Sequence, residues 1–81
     1  MKEVKFHAIA AAMGYTPMDA DSNCYEQMGF GHTHWLTFFN GLVTMRAETI
    51  EGKEVYNTGQ LDIEPGQLGT FITVFMKSYP V

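Results

Sequence analysis

The chain holds a single cysteine, Cys24, which rules out the intramolecular disulfide that staples many small secreted domains. Basic side chains are also scarce. Lys2, Lys5, Arg46, Lys53 and Lys77 lie apart, with no cluster able to track a phosphate backbone, so no direct nucleic-acid ligand is expected. Apolar runs are broken within a few residues by glycine, threonine or a charge, far short of the ~20 residues that span a bilayer. The segment Met1–His7 and the alanines after it lack the apolar core and cleavage site of a signal peptide. The expectation is a cytoplasmic protein, complete from its initiating Met1 and without a membrane contact. Its eight glycines are dispersed among turns and helix ends, so no phosphate-cradling loop and no nucleotide cofactor is implied.

What remains is 81 residues, enough for one core, read as a single α+β domain over residues 1–81. A chain of this size buries roughly 60–65% of the surface that its unfolded form exposes. Its stability margin is therefore thin unless a metal or self-association adds to it. Nine carboxylates against five basic residues leave a net charge of −4, which favours a basic partner surface.

Phe6, Ile9, Ala10 and Met13 recur at i, i+3, i+4 and i+7, which predicts a helix from Glu3 to Met13 closed by a left-handed Gly14. Tyr15 to Asn23 has no periodicity and reads as a loop. Cys24 to Phe30 reads as a short edge strand with Cys24, Met28 and Phe30 on its core side. Asn40-Gly41 between two β-rich runs predicts a type I′ hairpin, in which Phe39 pairs with Leu42 and Trp35 with Arg46. A turn at Glu51-Gly52-Lys53 leads to a fourth strand between Val55 and Ile63, with Gly59 as a bulge. Pro65 then opens a second helix, with Gln67 reaching back and Leu68, Phe71, Ile72, Phe75 and Tyr79 as its apolar stripe. The order is helix, four-stranded antiparallel sheet, helix, with both helices on one sheet face.

That arrangement leaves the second sheet face to water or to a partner. The hairpin register puts His34, Leu36, Phe38, Val43, Met45 and Ala47 on the core side, and Trp35, Phe39, Leu42, Arg46 and Glu48 on the other. Ile50 and Leu61 join the second set if the fourth strand keeps parity. Monomers seldom expose so large an apolar patch unused, and a Trp–Arg cross-strand stack is a frequent interface centre. The reading that follows is a non-catalytic, cofactor-free protein that binds a protein partner, or a second copy of itself in a homodimer, through this face. The opposing expectation is that the loop of residues 15–23 or the tail of residues 79–81 covers it.

Two histidines, His32 and His34, point to one face of a strand and could share a metal, with His7, Cys24 or Glu26 as further ligands. Cys24 with either histidine would make a thiolate–imidazolium pair. A small metal- or Cys/His-dependent enzyme or sensor is therefore a second reading, and a structural subunit of a homo-oligomer a third. Asp19-Ala20-Asp21-Ser22-Asn23 imitates the start of a calcium loop, but Cys24 stands where that loop needs glycine and Phe30 where it needs glutamate.

In size, acidity and lack of motifs the chain resembles the small phage-encoded proteins that block bacterial defence systems, anti-CRISPR proteins among them. The likeness is one of class and no functional residue is carried over from it. It implies steric or electrostatic inhibition, in which acidic and aromatic residues cover a basic channel of a host defence protein.

Overall fold

Two successive left-handed residues, Asn40 (φ 52°) and Gly41 (φ 81°), close the turn at mid-chain, as a type I′ hairpin requires. The structure is a computed structural model and describes residues 1–20 and 22–81. Within them run α1 (Glu3–Ala12), β1 (Thr16–Pro17), β2 (Cys24–Met28), β3 (His32–Phe39), β4 (Leu42–Thr49), β5 (Glu54–Asn57) and α2 (Pro65–Ser78). The strands make one antiparallel meander in the order β1-β2-β3-β4-β5.

The β3–β4 register is the expected one: Phe39 opposes Leu42, Phe38 opposes Val43, and Trp35 opposes Arg46. All six residues assigned to the core side of this hairpin are buried. From α1, Phe6 and Ala10 enter the core, Phe6 stacking on Phe38 with ring centroids 5.2 Å apart and meeting the Tyr25 ring edge-on at 5.6 Å. From α2 come Leu68, Ile72 and Phe75. Gly14 (φ 91°) turns the chain out of α1 as expected. At the start of α2, the Glu64 amide donates to Gln67 Oε1 at 3.0 Å, the predicted reach-back that satisfies an orphan donor.

The sheet differs from expectation in three places. It has five strands, because Thr16 and Pro17, read as loop, pair with Glu26 and Tyr25. The parity of β2 is reversed: Tyr25 is its core residue, while Cys24 and Met28 face away and Phe30 lies past the strand's end. The return strand is broken. Between Ala47 and Glu48 the β4–β5 register shifts, Gly59 (φ 67°) bends the chain, and Leu61 rejoins Val43 by two backbone hydrogen bonds of 2.9 and 2.8 Å. That break carries Leu61 to the helix side of the sheet, beside Ile63 and Met45, rather than to the second face, and it leaves Ile50 in an exposed turn. On α2, Phe71 lies at the margin of the apolar stripe and is 42% exposed.

Both helices contribute to the same core. No helix among the described residues is long and apolar enough to cross a membrane.

Candidate functional site

Since both helices pack against the side of the sheet that carries Leu36 and Val43, no described element crosses the opposite side. Among the described residues neither the 15–23 segment nor the tail crosses it, and of that segment Met18 reaches its margin. The segment extends the sheet edge as β1, and the tail lies at the far end of the molecule's helix side, against the β2–β3 turn.

One row of side chains spans this bare face from edge to edge: Thr16, Glu26, Trp35, Arg46 and Asn57, each opposite the next in the ladder. At its centre the Arg46 guanidinium carbon lies 4.9 Å from the Trp35 ring centroid. Two carboxylates hold the guanidinium from the other side, with Arg46 Nη2 3.6 Å from Glu48 Oε2 and Arg46 Nε 4.0 Å from Glu54 Oε1. Such half-exposed ion pairs add little stability, but together with the indole they fix where the Arg46 head sits. Beside this row is a shallow depression of about 450 Å³ lined by Met18, Cys24, Trp35, Thr37, Thr44 and Arg46. Thr37 Oγ1 donates to Cys24 Sγ at 3.6 Å across its floor.

Apolar groups mark both ends of the face. Phe39 is 68% exposed and paired with half-buried Leu42 at the hairpin end, and Met28 is 68% exposed at the other. Among the described strand residues, Glu26, Glu48 and Glu54 against Arg46 make the face negative. The five residues singled out from the sequence, Trp35, Phe39, Leu42, Arg46 and Glu48, therefore do share one surface. Glu54 was missed because the register of the return strand could not be written; Met18, expected as an exposed contact in the 15–23 loop, lies at the margin of this face. Phe30, 99% exposed between Gly29 and Gly31, was assigned to the Cys24 side of a strand that in fact ends at Met28.

The two histidines have a different use. Both lie on the helix side of the sheet and hold the tail: His32 Nδ1 donates to the Pro80 carbonyl at 2.9 Å and His34 Nε2 donates to the Tyr79 carbonyl. With Nε2 as donor, neutral His34 has Nδ1 free to accept from the Tyr15 hydroxyl at 3.0 Å. Burial lowers the His34 pKa; its hydrogen bond to Tyr79 opposes the shift and the His32 charge adds to it. Burial also pushes the Tyr15 phenol above its usual range, so it remains a proton donor to the imidazole. Phe75 stacks on the His34 ring at 4.1 Å and completes the enclosure. The tail lies so close that a Cβ at Gly29 or Gly31 would overlap the backbone of Val81 or Pro80.

Cys24 lies on the opposite side of the sheet from both histidines, so the thiolate–imidazolium pair is not formed. His7 joins neither: its Nδ1 lies 2.6 Å from the Tyr25 hydroxyl and its Nε2 3.7 Å from Glu3 Oε1. No group of three or more His, Cys, Asp or Glu side chains placed to hold a metal ion is found among the described residues. In the calcium-like run, Asp21 lies outside the described residues, and Ser22 Oγ accepts from the Cys24 amide at 2.9 Å, closing the turn into β2.

No family model, curated protein or solved structure matches this chain.

Proposed function

We propose that the protein is a non-catalytic binding module whose recognition surface is the bare sheet face, with Trp35, Phe39, Leu42, Arg46 and Glu48 in the contact. The observation that carries this reading is the Trp35–Arg46 stack at the centre of a face that no other described element covers. Trp and Arg are the side chains most enriched at energetic centres of interfaces, and here both are held in place before any partner arrives.

Charge selects the partner. Face-to-face pairing of two copies would bring three carboxylates on each into opposition, so the contact is with a foreign protein whose surface is basic. A module of this kind works by occlusion: the aromatic and apolar groups seal against the target while Glu26, Glu48 and Glu54 meet its cations. An inhibitor that covers a basic channel, of the kind suggested by the likeness to phage-encoded defence blockers, operates in the same way.

The test is site-directed photocrosslinking in the source cell from Thr37 and Thr44 on the face, with Thr73 on the exposed side of α2 as control. Both face positions should yield adducts with one and the same protein that Thr73 does not. Against that purified protein, Trp35→Ala should lose about 2 kcal/mol of affinity, roughly thirtyfold in Kd, while its melting temperature stays close to wild type. Adducts from Thr73 alone, or undiminished binding by Trp35→Ala, would overturn the reading.

A further inference from the structure

We infer that a second copy of this chain docks at the β5 edge, where two β5 strands pair antiparallel about a twofold axis and the two α2 helices pack across it. The two edges of the sheet are not equivalent. β1 is two residues long and ends in Pro17, which has no amide to donate, and this blunts that edge. β5 carries Glu54-Val55-Tyr56-Asn57, without proline, and no described strand pairs with its outer side. An edge of this kind is a template for another strand.

The surface next to that edge has the composition of an interface. Between β5 and α2 lie two adjoining hollows of about 320 Å³ each that share Met45, Tyr56 and Phe71, and no charged residue lines either of them. On the rim of the first of them, Val74 is 57% exposed one turn along α2 from Phe71. Strand and helix run in opposite senses: Tyr56 lies against Phe75 and Tyr79 late in the helix, while the hollow beside Leu61 reaches Phe71 nearer its start. A single twofold axis at the β5 edge therefore makes both the strand pair and the helix pair antiparallel.

The sequence suits a second copy in that arrangement. Centred on β5, the antiparallel register sets Glu54 opposite Asn57 and Val55 opposite Tyr56, so no like charges meet across the strands. Asp62 and Glu64 precede the first turn of α2 and Lys77 lies in its last, with Phe71 and Val74 between them. Antiparallel helices bring the acidic end of each copy to the lysine of the other and oppose their dipoles favourably. The bare faces of the two sheets then lie on the same side of one ten-stranded sheet and stay open. The dimer thus presents two copies of the Trp35 surface, and its existence does not depend on what that surface binds.

Sedimentation velocity over a concentration series tests this inference. Wild type should sediment as a dimer of the 9.1 kDa chain. Val74→Asp, at a side chain already open to water, should lower the dimerisation constant at least ~10-fold while leaving the monomer folded. Lys77→Glu should weaken the dimer and Lys77→Glu with Asp62→Lys should restore part of it, because the double variant returns an opposite charge to the contact and leaves the Glu64 cap of α2 in place. Trp35→Ala should leave the dimer intact. A wild type that is monomeric at every soluble concentration would overturn the inference and leave the groove to a foreign segment. A dimer insensitive to Val74→Asp but lost in Trp35→Ala would overturn it equally, by placing the contact on the sheet face.

Discussion

His34 shows how one side chain can serve the fold so fully that nothing is left over for chemistry. Its two nitrogens are both engaged, one giving to the Tyr79 carbonyl and the other receiving from Tyr15, and its ring is stacked on Phe75. A metal would have to displace one of those partners. The same enclosure makes stability sensitive to acid. The unfolded chain takes up a proton at His34 near the usual 6.5, and the folded chain does so only at lower pH. Between those two values the unfolded state holds more protons, so stability falls as pH falls, by at most about 1.4 kcal/mol per pH unit for this one group. Chemical denaturation at a series of pH values from 7.5 downward, taken as approximate set points, should show that loss beginning near the unfolded value. His34→Gln, whose amide can still donate to Tyr79, should lose less stability over the same interval. Equal losses in both chains would place the acid sensitivity elsewhere.

At the scale of elements, turn chemistry decided what could be foreseen. Asn40 and Gly41 both take positive φ, and from that pair alone the pairing of sixteen strand residues and the division of two faces follow. Gly41→Ala should lower stability by about 1 kcal/mol, read as a shift in the denaturation midpoint at unchanged slope, because alanine resists that conformation. Pro65 and Gln67 announced α2 in the same local way. The elements misjudged are those fixed by distant contacts. β1 is too short for any periodicity to reveal it. The β2 parity was hidden because Tyr25, its core residue, carries a polar tip that His7 satisfies, while Cys24 and Met28 are apolar but face outward. Gly29 and Gly31 look like ordinary turn glycines, yet their lack of a Cβ makes room for the backbone of residues 80 and 81. Gly31→Ala should therefore cost about 1–3 kcal/mol, since the added methyl must push the tail off His32. A loss no larger than that of an exposed turn substitution would show that the tail gives way freely.

For the molecule as a whole, the layer arrangement underlies the proposed function. Two helices cover one side of a five-stranded sheet, and there is no third layer among the described elements. The residues of the candidate site were legible because parity along β3 and β4 follows from the hairpin. What the face would hold beyond them was not, since Glu54 and Met18 arrive through a bulged strand and an irregular segment. In the proposed reading charge separates the two surfaces of the protein: the aromatic, acidic sheet face is assigned to a basic foreign partner, and the β5–α2 edge, uncharged in its hollows with opposite charges at its ends, to a second copy.

All of this requires that Trp35 be open to solvent. As the only tryptophan in the chain, it reports on itself, so acrylamide quenching of the intrinsic fluorescence measures its accessibility without a label. The account predicts efficient quenching of the native protein, at concentrations where it is a monomer and equally where it is a dimer. A native fluorescence that acrylamide barely reaches, becoming quenchable only on denaturation, would mean that the indole is sealed within the fold, and it would contradict the account.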